Sequence, residues 1–226
     1  LHLYLFVMPD VYGKDSLLDF DESDAEQHQI LHDAFEVKAA GNHLSQLVAG
    51  RSVHAPFPTI GGFTKIPDAT QTAPIIEELK KVRPRVIALI ARFTERPLTF
   101  VNPSNYIAIV NDERFSYLDG AFKDAHGTVG AESDYRKHLE HVALPYSHAS
   151  AYTYEGDTYR VGALARINLS KHSLHPNTKR DAAEALALFP SDDIFDNNLA
   201  QAIEILHSID ESIDLLTETT FVPEKP

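Results

Sequence analysis

The chain has 226 residues, 43% of them apolar and 23% charged, with a net charge of −13 at pH 7. That length and apolar content suit a globular protein with a substantial core, and they exclude a disordered tail or a fibrous repeat. The balance of 33 Asp and Glu against 20 Lys and Arg disfavours a phosphate backbone as partner, so no nucleic acid is expected.

No run reaches the roughly 18 apolar residues that a membrane helix requires, the longest candidate being Val86–Ala91. No membrane insertion and a cytoplasmic location are therefore expected. The opening run Leu1–Met8 (LHLYLFVM) lacks the basic leader and small-residue cleavage site of a signal peptide. It reads as a cut end whose apolar side chains pack against something upstream.

Ser23 and Asp24 are caps for a long helix over Ser23–Ala49, with Glu26 completing a capping box and Gly50 as its stop. Ile30, Ala34, Val37, Leu44 and Val48 follow helical spacing. The Pro/Gly-rich stretch Arg51–Pro67 is a loop in which Gly61 and Gly62 free the backbone and three prolines deny it a regular ladder. Asp68 or Thr70 caps a second helix carrying Ile76, Leu79, Val82, Val86 and Ile90, and Pro84 inside it predicts a kink or a split.

From Leu98 to Leu169 the signals are those of strands and turns. Tyr106–Val110 and Phe115–Leu118 read as strands, a short helix lies near Ser133–His141, and Tyr152–Tyr154 with Thr158–Val161 form a hairpin around Glu155–Asp157. Helix returns at Thr178–Leu188, closed by Pro190. Leu199, Ile203, Leu206, Ile209, Ile213 and Leu216 then make one apolar stripe, the clearest helix signal in the chain.

The chain has 12 histidines and no cysteine, so thiolate ligands, thiol nucleophiles and disulfides are all absent. Any metal held here must use His and carboxylates. His28 and His32 have helical ligand spacing but lack the Glu of a HExxH site. His138 and His141, flanking Glu140, read as a solvated surface. A di-iron carboxylate bundle needs two Glu-x-x-His repeats with further glutamates on facing helices, and no such spacing is counted here, so that reading is set aside. Ser147 beside His148, and Ser173 between His172 and His175, are adjacent in sequence without a Gly-x-Ser-x-Gly elbow, so no catalytic residue is assigned. Neither a dinucleotide fingerprint nor a P-loop occurs.

Three stretches, in order, resemble the large (alpha) subunit of nickel–iron hydrogenases, in particular the soluble types that reduce NAD, coenzyme F420 or artificial dyes such as viologens. His2–Asp10 (HLYLFVMPD) resembles the segment after the upstream cysteine pair. Gly50–Pro67 (GRSVHAPFPTIGGFTKIP) resembles the Gly-Arg-x-x-His-Pro loop with its Gly-Gly, and Tyr159–Asn168 (YRVGALARIN) the Val-Gly-x-Leu-Ala-Arg-x-Asn element. Tyr106–Val110 and Asp134–Tyr135 fit the β-rich insert between the last two. Ala55 stands where the loop proline is usual, and both Cys-x-x-Cys pairs and the arginine of the family's Pro-Arg-Gly segment are missing.

The resemblance implies the central part of a nickel-dependent large subunit. It implies a NiFe centre in the intact subunit but no cofactor in this chain, and as partners an iron–sulfur small subunit and the rest of the large subunit. Arg51, His54, Gly61 and Gly62 would lie near the small subunit and its cluster, while Arg166 and Asn168 belong to a structural motif. The parent enzyme would oxidise hydrogen or reduce protons. This chain alone would be inactive, because soft thiolates anchor nickel and imidazole or carboxylate does not simply replace them. The alternative is a noncatalytic helical interaction or scaffold module derived from the same fold. The expected fold class is α+β, predominantly helical: a long-helix bundle with a small β-rich insert around residues 98–169. It forms a single fragment, 1–226, with helical parts 1–97 and 170–226.

Overall fold

A computed structural model describes residues 2–95 and 98–222. About 52% of the chain is helical, with small sheets, so the class is α+β dominated by helix. The chain divides into two compact units, Leu1–Leu89 with Ser208–Pro226, and Ile90–His207. Among the described residues no helix is long and apolar enough to cross a membrane.

The first unit opens with a π-helical turn, Leu3–Val7, running into α1 (Met8–Val11). Leu3, Tyr4 and Met8 are buried by the described chain itself while Phe6 is exposed.

Helix α2 (Ala25–Ala49) starts on Asp24, whose carboxylate accepts the backbone N–H groups of Glu26 and Gln27 at 3.0 and 2.9 Å. Ser23 is not the cap, since its hydroxyl donates instead to Asp21. Gly50 ends the helix at φ 89°, the left-handed conformation that costs any other L-residue a clash. After it comes a two-strand ladder, β1 (Pro58–Thr59) with β2 (Gly62–Phe63), inside the stretch expected to have none. Proline takes part because an edge strand needs no second ladder from its N–H side.

Helix α3 (Ala69–Thr94) follows, with the Asp68 carboxylate accepting Thr70 N–H at 2.8 Å. It runs unbroken through Pro84, so of the expected kink or split the split does not occur. The residues flanking the proline explain this. Arg83 grips Asp210 with two bonds, at 2.6 and 3.1 Å, and Arg85 pairs with Asp33 and, at 2.8 Å, with Glu36. Nearer the start of α3, Lys81 reaches Glu36 at 3.1 Å and Glu78 reaches His43 at 2.9 Å. As α3 residue numbers fall from 85 to 78, their α2 partners rise from 33 to 43, so the two helices run antiparallel with one ionic ladder between them.

In the second unit, β3 (Asn105–Val110) is central to a four-stranded sheet of order β5-β4-β3-β8. β4 is Ala121–Asp124, β5 Val129–Ala131 and β8 Tyr159–Arg160. β3 and β4 pair antiparallel, Ile107 opposite Asp124 and Val110 opposite Ala121. Gly120, just before β4, passes so close to Val110 that a Cβ would lie 2.4 Å from its carbonyl oxygen. β6 (Leu139–Val142) and β7 (Ala151–Tyr154) form a separate antiparallel pair.

Three expectations for this stretch are corrected. Phe115–Leu118 is not a strand, because the Asn111 and Ser116 side chains accept the N–H groups of Glu113, Arg114, Leu118 and Asp119 and turn the chain locally. Ser133–His141 is a 3-10 segment, Glu132–Lys137, followed by β6. The turn at Glu155 and Gly156 is real, with both residues at positive φ, but it supports only the single bridge Tyr154–Asp157. β8 pairs parallel with β3 instead, Asn105 opposite Tyr159.

Helix α4 (Ala163–Ser170) lies on β3. The expected Thr178–Leu188 helix is two short ones, α5 (Pro176–Asp181) and α6 (Ala183–Leu186), separated at Ala182 (φ −108°, ψ 19°). Bonds Ala182 N–H to Thr178 O and Leu186 N–H to Ala182 O lie on either side of that point, so α5 and α6 meet at Ala182. Helix α7 (Asp196–Glu218) carries the predicted stripe, with Leu199, Ile203, Leu206, Ile209 and Leu216 buried and Ile213 half-buried.

Candidate functional site

The loop 50–67 is anchored by few atoms. Ser45 Oγ donates to the Arg51 carbonyl at 2.8 Å, Phe57 N–H to the Ala49 carbonyl at 3.3 Å, and Thr64 N–H and hydroxyl both to the Phe57 carbonyl. The Phe57 ring lies over Gly50, where an added Cβ would come within 2.6 Å of it. Lys65 Nζ sits 5.4 Å from the same ring, near enough for a cation–π contact.

The four loop residues singled out from sequence all face solvent or sit half-exposed. Arg51 and His54 are exposed, and neither side chain has a hydrogen-bonding or charged partner among the described residues. His54 adopts a positive φ of 57°, a conformation sparsely used outside glycine and asparagine. Ile60 and Gly61 form the turn of the β1–β2 hairpin and Gly62 opens β2, and the Ile60 side chain is 98% exposed. Val53 and Phe63 are also exposed, so the hairpin and its approach present an apolar prong. Behind the loop lies a cavity of about 600 Å³, lined by α2 residues His43 and Gln46, by Phe57 and Lys65, and by Gln71 and Ile75 of α3.

Arg166 and Asn168 lie on α4 in the other unit. Arg166 Nε and Nη2 donate to the two Glu204 oxygens at 2.6 and 2.9 Å, and its guanidinium lies 5.2 Å from the Tyr117 ring. The bond to Glu204 holds the Arg166 pKa above the ordinary value, against the opposing effect of burial. Asn168 bridges to Ser191 in both directions, its amide donating to the Ser191 carbonyl and its oxygen accepting the Ser191 N–H, each at 2.9 Å. That pair fixes the chain just after the cis Phe189–Pro190 bond.

The histidine constellations do not assemble into a site. His28 and His32 rings lie 4.2 Å apart, but among the described residues no group of three or more His, Cys, Asp or Glu could hold a metal. The His138 ring packs against those of Phe122 and Tyr154, at 5.5 and 5.7 Å, which themselves lie 5.9 Å apart, and it bonds Glu155. Ser173 donates to the Asn111 carbonyl, and His207 Nδ1 accepts the His175 N–H, so neither serves a triad. Glu204 and His207 make one Glu-x-x-His spacing that sequence reasoning passed over. Glu204 is occupied by Arg166, and the His207 ring packs edge-on to Phe115. The donor set therefore does not fit a nickel–iron centre: it has no thiolate and gathers no alternative ligand cluster among the described residues.

No protein-family model matches the chain. It is 26% identical over 225 residues to sulfhydrogenase 1 subunit alpha and 28% identical over 218 residues to sulfhydrogenase 2 subunit alpha, both of Pyrococcus furiosus. Each match covers 96% of this chain but 51% and 50% of the relative, so the chain spans about half the length of the curated relatives it matches. An NAD+-reducing NiFe hydrogenase, solved in the H2-reduced state, superposes with a TM-score of 0.75 at 20% identity, over 96% of this chain and 54% of that one. The NiFeSe hydrogenase of Desulfomicrobium baculatum gives 0.60 at 19% identity, over 93% and 54%. The chain is thus a homologue of hydrogenase alpha subunits over nearly its whole length and has the fold of the matching half of a nickel–iron hydrogenase large subunit.

Proposed function

We propose that this chain supplies scaffold and a partner-facing loop to a hydrogenase large subunit, in an enzyme that oxidises hydrogen or reduces protons in the cytoplasm. The observation that carries the reading is a likeness spanning almost all of this chain, and about half of each alpha subunit, in a sequence with no cysteine. Nickel and iron favour soft sulfur donors, so the NiFe centre is held by residues outside these 226 and no chemical step is assigned to any residue here.

The small, iron–sulfur subunit docks on the loop of Arg51, His54, Gly61 and Gly62. Support comes from its composition: two cationic-capable side chains without partners among the described residues, beside an apolar prong, a combination of polar groups and exposed apolar surface common at interfaces. The absence of thiolates also favours a second reading, a noncatalytic interaction module that kept the fold.

Purification of the natural protein from its source, with intact mass and metal analysis, separates the two. The enzyme reading expects a subunit about twice this length, with nickel and iron, recovered together with an iron–sulfur protein. A 226-residue protein free of nickel would overturn it in favour of the interaction module.

A further inference from the structure

The unit Ile90–His207 contains a cavity of about 280 Å³ near the N-terminus of α4, remote in sequence from the loop just discussed. Its floor is the core of the four-stranded sheet, Ile107 and Phe122, both buried. Tyr117, Tyr135 and Tyr159 contribute three further aromatic rings to its lining. The volume lies near the lower end of the range for small-molecule sites, about 300–1,000 Å³, and rings on several sides select a flat ligand.

Arg166 also lines this cavity, and its hydrogen bonds are unevenly used. Nε and Nη2 are both committed to Glu204, while Nη1 makes no hydrogen bond among the described residues. The Glu204 pair and the Tyr117 ring fix the guanidinium plane, so the remaining donors point from a rigid mount. Glu204 also cancels the charge of Arg166, and no other charged side chain lines the cavity. In a chain of net charge −13 an anion gains nothing here that a neutral acceptor does not.

We propose that this cavity binds a planar, uncharged aromatic carbonyl compound, an amide, ketone or quinone, with the ring among the tyrosines and the oxygen on Arg166 Nη1. The proposal is independent of the hydrogenase reading. Benzamide, toluene and benzoate, titrated into the purified protein by ligand-observed NMR, test it. Benzamide is expected to bind with a Kd of about 1–10 mM, as befits nine heavy atoms, and about tenfold more tightly than either other probe. Arg166→Lys should remove that advantage and leave toluene unchanged. Because that substitution disturbs a buried pair, Ile109→Trp serves as a second variant: it fills the half-buried wall, leaves the pair intact, and should abolish benzamide binding with the melting curve preserved. Equal affinity for benzamide and toluene, no benzamide binding at 50-fold above about 1 mM, or undiminished binding to Ile109→Trp would each overturn the proposal.

Discussion

Asp210 is 3% exposed, and its two carboxylate oxygens are both taken by Arg83. Such a pair is costly to desolvate, and its worth lies less in the attraction than in what removal of one partner leaves behind, an uncompensated buried charge. Asp210→Ala is therefore expected to destabilise the protein by about 3–5 kcal/mol in urea unfolding, against about 1 kcal/mol or less for an exposed pair such as Arg114–Asp119. Asp124 poses the same question with hydrogen bonds. Burial raises the pKa of its carboxyl, but the Thr128 N–H, the Tyr154 hydroxyl and the Asn105 amide outweigh this and hold it below the ordinary 3.8. The reciprocal effect, burial first and then the Asp124 carboxylate, pushes Tyr154 up to about 12. A carboxyl with a depressed folded pKa stabilises fully above its unfolded value and loses that contribution as pH falls through the folded one. Asp124→Asn should thus cost about 1–2 kcal/mol at pH 7, and the gap from wild type should shrink below about pH 3. Urea midpoints at the two pH values decide it, and a gap that persists at low pH would assign the cost to shape instead of charge.

At the level of elements, α2 and α7 were readable because their signals are local: a capping carboxylate, a terminal glycine, an apolar stripe. The continuity of α3 was not, because the groups that hold it across Pro84 have partners 52 and 127 residues away in the chain. β3 was readable from its β-branched and aromatic run. β4 (AFKD) carries no such run, and β8 is two residues long, so its parallel pairing with β3 is decided by tertiary position. The candidate loop was legible as a loop from its glycines and prolines, whereas the cavity behind it draws on α2 and α3 residues that no local pattern connects. Gly50 joins those two levels, since it closes α2 and lets Phe57 pack against the helix end. Gly50→Ala places a Cβ at a left-handed φ, costing about 1–2 kcal/mol, and drives it into the Phe57 ring. The expected result is a lower melting temperature with faster tryptic cleavage at Arg51 and Lys65. An unchanged digestion pattern would mean that Phe57 does not hold the loop.

At the scale of the whole molecule, an acidic chain without thiolates matches about half of each curated alpha subunit, and its outward features must account for any role in such an assembly. The most exposed large apolar side chain among the described residues is Ile60, at 98%, on the turn of a two-residue ladder beside exposed Phe63 and Val53. Full exposure means the folded chain gains nothing from it, so a polar replacement should change the stability of the protein by less than about 0.5 kcal/mol. A partner that buries it gains about 1.5–3 kcal/mol and would have to desolvate a carboxylate in its place. Under the reading proposed above, Ile60→Asp should weaken capture of the iron–sulfur subunit by at least about tenfold, the equivalent of about 1.4 kcal/mol, with the melting temperature unchanged. Val129→Asp, at an exposed position on β5, is the matched control and should bind as wild type. Equal weakening by both substitutions would point to general repulsion by an already acidic surface, and undiminished capture by Ile60→Asp would remove the prong from the interface.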